Sequence, residues 1–280
     1  MPAVMLCDTP SSPSVSMLFV KPDRAAAMAD RAATGIQLRR RHGVQGDVHA
    51  DPLGPRQILL VAGEVLDDLR LPGEALRANV VTRGIELDAL GSGTVLQIGS
   101  SALVRLTHRC EVCSHIAQHA GLSQLKVLHG RRGYLGVVIA DGVVQVSDEL
   151  SVTRERFTWV PEHILARTLW VVRRIPPGRV APYSMLVRLI GAPRGYLRAL
   201  PRAITFAASR GLAAHRVVSS RGELLESLPT QPRLLAAEGV ASNGSVVGDL
   251  DRYIWRPRSL YYKPLPSHPE QLSLGCVHHP

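Results

Sequence analysis

The chain has 280 residues, 45% of them hydrophobic and only 4% aromatic, with a formal net charge of +10. That length allows two ordinary cores of about 100–150 residues each, built mostly from Leu, Val, Ile and Ala. No apolar run reaches membrane-spanning length, no charged start leads into a long apolar stretch, and Cys7, Cys110, Cys113 and Cys276 make no disulfide framework; the expectation is a cytoplasmic protein with reduced thiols.

The charge is divided unevenly. Residues 1–150 hold 15 Lys+Arg against 15 Asp+Glu, whereas residues 151–280 hold 18 against 8 and so supply the whole excess. A neutral module joined to a basic one is expected, with nucleic acid as the natural partner of the second; an Arg-rich solvated face is the alternative.

In chain order, a short N-terminal stretch (1–14) precedes a run of short strand candidates. These are Val15–Val20, Ile58–Ala62, Val80–Val81, Thr94–Ile98, Ala102–Thr107, Gly136–Ile139 and Val143–Val146, punctuated by glycines. Val61–Arg70 and Ser114–Ala120 read as helical inserts. Short strands in this number predict a closed or nearly closed barrel over 15–150, since closure removes exposed edges. Residues 151–161 read as a linker.

Glu162–Arg173 has helical periodicity and Pro176-Pro177-Gly178 stops it. A helix over Tyr183–Ile190, a turn at Gly191-Ala192-Pro193 and a second helix from about Arg194 make a helix-turn-helix pattern. Arg188, Arg194, Arg198, Arg202 and Arg210 load it with positive charge. Pro201 falls inside the presumed recognition helix, where it would remove a hydrogen bond and kink the helix. Residues 258–280 form a Pro-rich tail whose Tyr261 and Tyr262 are expected to pack on a domain; metal binding by His278-His279 is not expected.

Chemistry in the first half gathers in three places. Asp47 and His49 share a face if the chain is locally extended. Arg77-Ala78-Asn79 is followed by Thr82-Arg83-Gly84-Ile85. His108-Arg109-Cys110-Glu111-Val112-Cys113 offers thiolates beside cationic groups; a thiolate suits a soft metal or sulfur transfer, and two partly buried thiols near a strand end are the alternative.

Val20-Lys21-Pro22, Gly43–His49, Arg56-Gln57, Arg77–Asn79, Gly84-Ile85, Leu90–Gly93, the cysteine segment and Gly130–Gly133 follow the order of MOSC domains, which this half resembles over about 15–150. The resemblance implies a mostly-β barrel and a cysteine involved in molybdenum cofactor or sulfur handling. Cys113 matches that cysteine, as a possible molybdenum ligand, with Cys110 as second choice. His49, Arg77, Asn79, Arg131 and Arg132 would then line a cleft for the pterin phosphate of molybdopterin. The family also has associations with pyridoxal phosphate. No lysine-bearing aminotransferase-like region precedes the domain, so a complete cofactor sulfurase is not expected.

Ile175-Pro176-Pro177-Gly178-Arg179-Val180-Ala181-Pro182-Tyr183, Arg198-Ala199-Leu200, His215-Arg216-Val217-Val218, Ser220-Arg221-Gly222, Glu238-Gly239-Val240 and Arg252-Tyr253 with Trp255 follow the order of O6-alkylguanine-DNA alkyltransferases. The resemblance covers 162–257, and its tail, Gly248-Asp249-Leu250 then Arg252-Tyr253 and Trp255, is closest to the alkyltransferase-like proteins. It implies a small, mainly helical domain with a winged-helix or helix-turn-helix core that binds double-stranded DNA containing O6-alkylguanine and needs no cofactor. Where the family has Pro-Cys-His-Arg or Pro-Trp-His-Arg, this chain has Ala213-Ala214-His215-Arg216. Alkyl transfer needs a nucleophile, and alanine has none.

By the same resemblance Tyr183 would press on the backbone at the rotated nucleotide and Arg198 would fill the gap in the stack. Arg194, Arg202, His215 and Arg216 would add DNA contacts, and Glu238 would join His215 in a polar network. Two readings therefore stand: a monomeric, non-enzymatic reader of damaged DNA with a MOSC domain attached, or a MOSC-type enzyme that acts through Cys113 with a molybdenum-pterin or sulfur-transfer partner.

Overall fold

The computed structural model describes residues 12–113, 116, 119–121 and 125–266. Cys7, Cys276, His278 and His279 lie outside the described residues, as does most of the expected insert Ser114–Ala120. Its described members, Ile116, His119 and Ala120, are helical. Two compact units result: residues 1–50, 58–159 and 259–280 make the first, and residues 51–57 and 160–258 the second. The first is β-rich and the second more helical. No helix among the described residues is long and apolar enough to cross a membrane.

The first unit contains β1 (Ser14–Val20), β2 (Ala29–Asp30), β3 (Ile36–Arg39), β4 (Gly43–Val44), β5 (Ile58–Ala62), β6 (Val80–Arg83), β7 (Thr94–Ile98), β8 (Ala102–Arg109), β9 (Tyr134–Ala140), β10 (Gly142–Val144) and β11 (Leu150–Arg156). Two short helices, α1 (Gly63–Asp68) and α2 (Leu87–Leu90), are set among them. Eight strands form one sheet in the order β11-β7-β8-β9-β5-β6-β1-β2, and β10-β3-β4 form a second. Every pairing in the large sheet is antiparallel except β5 with β6. The start of β1 is also bonded to the start of β11, through Val15 N to the Asp148 carbonyl (2.9 Å) and Leu150 N to the Pro13 carbonyl (2.7 Å).

The continuous apolar run at β5 has a physical reason. Ile58 and Leu60 pack into one core cluster while Leu59 and Val61 pack into another, on the opposite face, that also receives Val65 and Leu66 of α1. A strand buried on both faces has no polar alternation to show. Gly133 stands at φ +90°, and a Cβ there would collide with the Leu60 carbonyl, so only glycine lets the chain enter β9 beside β5.

The short strands β2, β3 and β4 escape periodicity because two to four residues are too few to establish it. Residues 151–156, inside the stretch read as a linker, form most of β11 against β7. The tail from 259 belongs to the first unit: buried Arg105 donates to the carbonyls of Tyr261 and Thr158, between the rings of Phe157 and Tyr261.

In the second unit come α3 (Ile164–Val172), β12 (Ala181–Pro182), α4 (Tyr183–Leu189), a 3-10 turn at Arg194–Arg198, α5 (Leu200–Ser209), a 3-10 turn at Ala214–Arg216, β13 (Val217–Val218), α6 (Gln231–Ala237), the hairpin β14 (Ser242–Asn243) with β15 (Val246–Val247), and α7 (Leu250–Tyr253). β12 and β13 pair in parallel. Leu200, Ala203, Ile204 and Ala207 are the buried residues of α5, at the i, i+3, i+4, i+7 spacing of a helix with one apolar face.

Pro201 does not kink α5. It occupies the second position of α5, in the first turn, where a backbone N–H has no intrahelical acceptor to lose. The helical geometry changes two residues earlier instead, at Ala199, where the 3-10 turn gives way to the α-helix.

Candidate nucleic-acid interface

The α4–α5 turn is held from two sides. Arg167 of α3 is fully buried and donates through Nε to the Ile190 carbonyl at 2.9 Å, taking up an orphan acceptor at the end of α4. The segment 51–57 approaches the same turn: Arg188 pairs bidentately with Asp51 (3.1 and 2.7 Å), and Arg56 donates to the Gly191 carbonyl at 3.1 Å. Gly191 lies at φ +66°, and a Cβ there would sit 2.8 Å from Pro55 Cγ. Burial raises the Asp51 pKa, but the Arg188 guanidinium and the N–H groups of Leu53 and Gly54 outweigh it and hold the carboxyl below its ordinary range.

Beyond the turn, Arg194, Arg198, Arg202 and Arg210 are all exposed. Arg198 ends the 3-10 turn and Arg210 lies over the ring of Phe206, itself exposed on α5. Tyr183 opens α4. Its hydroxyl is buried without a hydrogen-bond partner among the described residues, and that burial pushes its pKa up to about 12.

A cavity of about 380 Å³ lies beside Ala214, lined by Ala208, Gly211, Leu212, Ala213, Ala214, His215, Leu228, Thr230 and Leu234. That volume falls in the range of small-molecule sites. The lining is mainly apolar, with the Thr230 hydroxyl and the His215 ring as its polar side chains. Ala214 itself is buried.

One carboxylate organises the wall behind it. Glu238 faces His215 Nε2 at 2.8 Å, and accepts from Arg216 Nε at 3.0 Å to each oxygen, from Arg216 Nη2 at 2.7 Å and from Gly178 N at 3.0 Å. Burial alone would raise the Glu238 pKa; the hydrogen bonds from Arg216, His215 and Gly178 overcome it and bring the pKa down to about 2. Arg216 also donates to the Ile175 carbonyl at 2.7 Å, so its guanidinium faces the interior rather than solvent.

Buried Gln231 completes the arrangement by donating to the carbonyls of His215 and Val217 (3.0 and 2.8 Å) while accepting from Leu225 N (2.7 Å). Neither Gln231 nor Arg167 stands out in the sequence. Both act on backbone carbonyls, which leave no trace in side-chain patterning.

In the first unit, Asp47 and His49 meet through a turn rather than an extended segment. Asp47 Oδ1 accepts from His49 N (2.8 Å) and faces His49 Nδ1 (2.9 Å), while Oδ2 accepts from Lys21 N (2.9 Å) and Asn79 Nδ2 (2.8 Å). Asn79 further fixes β5 by accepting from Leu59 N. Burial raises the Asp47 pKa, and these bonds more than reverse it. Arg131 pairs with Asp68 at 2.6 Å and Arg132 is buried. Arg77 stands in the left-handed region at φ +55°. Cys110 is buried and Cys113 exposed. Among the described residues no three His, Cys, Asp or Glu side chains gather as a metal site.

Comparison with known proteins divides the chain in the same way. Residues 45–151 match the MOSC domain family, and residues 165–240 match the 6-O-methylguanine DNA methyltransferase, DNA binding domain family. A DNA base-flipping protein of Escherichia coli K12 is 35% identical over 101 residues, covering 34% of this chain and 76% of that protein. S. pombe Atl1, solved with damaged DNA containing O6-carboxymethylguanine, is 26% identical over 34% of this chain and 95% of its own, with a TM-score of 0.31. The YUAD protein from Bacillus subtilis is 20% identical over 50% of this chain and 95% of its own, with a TM-score of 0.42. Through its second unit the chain therefore belongs to the family of the DNA base-flipping protein, here fused to an N-terminal MOSC-like domain.

Proposed function

We propose that the second unit reads alkylated guanine in duplex DNA by receiving the extruded base in the cavity beside Ala214, and that it transfers nothing. The cavity carries this reading: its apolar walls have room for an O6-alkyl group, and its lining offers a methyl side chain where attack would need a lone pair. Extrusion costs least at a damaged base, which gives such a pocket its selectivity. In this reading exposed Arg198 serves as the wedge that replaces the base in the stack, and Arg194, Arg202 and Arg210 add phosphate attraction independent of sequence. His215 and Arg216 act through Glu238, holding the Ala214–Arg216 turn in place.

In this reading α4, the Gly191–Pro193 turn and α5 are a helix-turn-helix, with β14 and β15 as its wing. The bonds from β1 to β11 support reading the first unit as a closed barrel. The test compares affinity for a duplex containing O6-methylguanine with its undamaged match at one moderate salt concentration. The lesion should bind more tightly, and R198A should reduce that preference more than it reduces nonspecific binding. Equal affinities for the two duplexes overturn lesion reading, and an alkyl mass appearing on the protein overturns the absence of transfer.

For the first unit, exposed Cys113 within the MOSC match favours a sulfur-carrying role. A molybdenum-pterin group fits the observed contacts poorly: Arg131 is paired with Asp68, and His49 and Asn79 are both engaged by Asp47. A persulfide on the purified protein, detected as the mass of one added sulfur, should be lost in C113S and kept in C110S; its absence from the wild type overturns the role.

A further inference from the structure

The second unit has another cavity of about 380 Å³ whose lining shares no residue with the one beside Ala214. Pro176, Arg179, Asp251, Arg252, Trp255 and Arg256 form most of its wall. Backbone pairing holds the two sides together: Val180 N donates to the Tyr253 carbonyl (2.9 Å) and Trp255 N to the Val180 carbonyl (2.8 Å). Arg179 Nη1 adds a bond to the Arg252 carbonyl at 2.6 Å. The guanidinium of Arg252 lies 5.4 Å from the centre of the Tyr253 ring.

All three arginines are exposed, and none is ion-paired with a carboxylate among the described residues. Asp251 is the single acid in the lining, so the wall keeps a formal charge of +2, three arginines less one aspartate. Three arginines lining one small cleft suit the recognition of phosphate oxygens, which guanidinium forks bind in planar, bidentate fashion. The half-buried Trp255 supplies an aromatic wall on which an arginine or a sugar can rest. These residues lie outside the α4–α5 motif, so its own phosphate attraction does not account for them.

We propose that this cleft binds a phosphate of the DNA backbone, as a contact separate from the arginines of α5. The proposal rests on reading the second unit as a DNA reader and names a second part of its surface. Its geometry is tied to that of the base cavity by one group: Gly178, next to Arg179, donates to the Glu238 carboxylate that also holds His215.

The test measures affinity for an undamaged duplex across a salt series, for the full-length wild type, for R256Q and for R179Q/R252Q/R256Q. Each lost phosphate contact lowers the slope of log K against log salt by about 0.9. R256Q should lower it by up to about 0.9 and the triple variant by about 0.9, with the lesion-over-undamaged ratio unchanged in both. R256Q removes a side chain that holds no other group among the described residues, so it reports on the cleft even if loss of the Arg179 bond loosens the triple variant.

A wild-type slope in both variants overturns the proposal, and so does loss of the lesion ratio without a change of slope. If the wild type binds neither duplex, the DNA-reader assignment itself falls. The cleft is then judged by titrating inorganic phosphate while following the indole N–H resonance of Trp255. A shift in the wild type that R256Q weakens upholds an anion site, and no shift overturns it.

Discussion

Replacing Glu238 by glutamine keeps the shape of the residue and removes its charge. The side chains of Glu238, Arg216 and His215 are only 16%, 14% and 15% exposed, so the charge of Arg216 would lose its partner in a poorly solvated place. A carboxyl pKa held at about 2 against an ordinary 4.5 corresponds to about 3 kcal/mol of folding free energy at neutral pH, an upper figure because solvent reaches part of the pair. The sign follows from the depression. The folded pKa lies below the unfolded one, so the contribution is complete above about pH 5 and is lost as the pH falls toward 2. At pH 3 roughly half or less of it should remain. Urea unfolding followed at Trp170, in a W159F/W255F background, should therefore show E238Q destabilised by about 2–3 kcal/mol at pH 7. The gap between E238Q and its parent should narrow by about 1–2 kcal/mol at pH 3. A gap below about 0.5 kcal/mol at pH 7, or one independent of pH, refutes the reasoning, because the carboxylate would then be screened like a surface charge.

Other changes probe the turn and the two cores. D51N removes the partner of Arg188; since the pair is partly exposed, stability should change by only about 0.2–1 kcal/mol, whereas freed Arg188 should steepen the salt dependence of DNA binding by up to about one phosphate contact. An unchanged slope means that Arg188 does not face the backbone. P201A should cost less than about 1 kcal/mol in a thermal melt, because the first turn of α5 tolerates proline; a loss above about 2 kcal/mol contradicts its placement. G133A combines a left-handed backbone with a collision at the Leu60 carbonyl, and should cost at least about 2 kcal/mol by urea unfolding.

Much of the architecture can be read from local pattern. The apolar run 58–61 announces a strand, and the periodicity over Glu162–Arg173 announces the helix found at Ile164–Val172. Their signals are strong because burial repeats with the period of the element. That Ala214 stands where the alkyltransferases carry their acceptor is implied by the resemblance in sequence order, and that it offers no nucleophile follows from its identity. Pro201 misleads because its effect depends on a helix start that propensity places only to within a few residues.

The partners of the site residues lie beyond any such pattern. Glu238 collects Arg216 from 22 positions away and Gly178 from 60, and Asp51 meets Arg188 across 137. Periodicity reports whether a side chain is buried, not which distant group shares its surroundings. The charge imbalance and the strand-rich and helix-rich halves follow from residue identity alone, and Ala214 in the acceptor's place follows from identity together with the resemblance. That segment 51–57 packs in the second unit, that Arg216 faces inward, and that Arg179 lines one cleft with Arg252, Trp255 and Arg256 depends on chain closure over long separations, where geometry rather than local preference selects the neighbours.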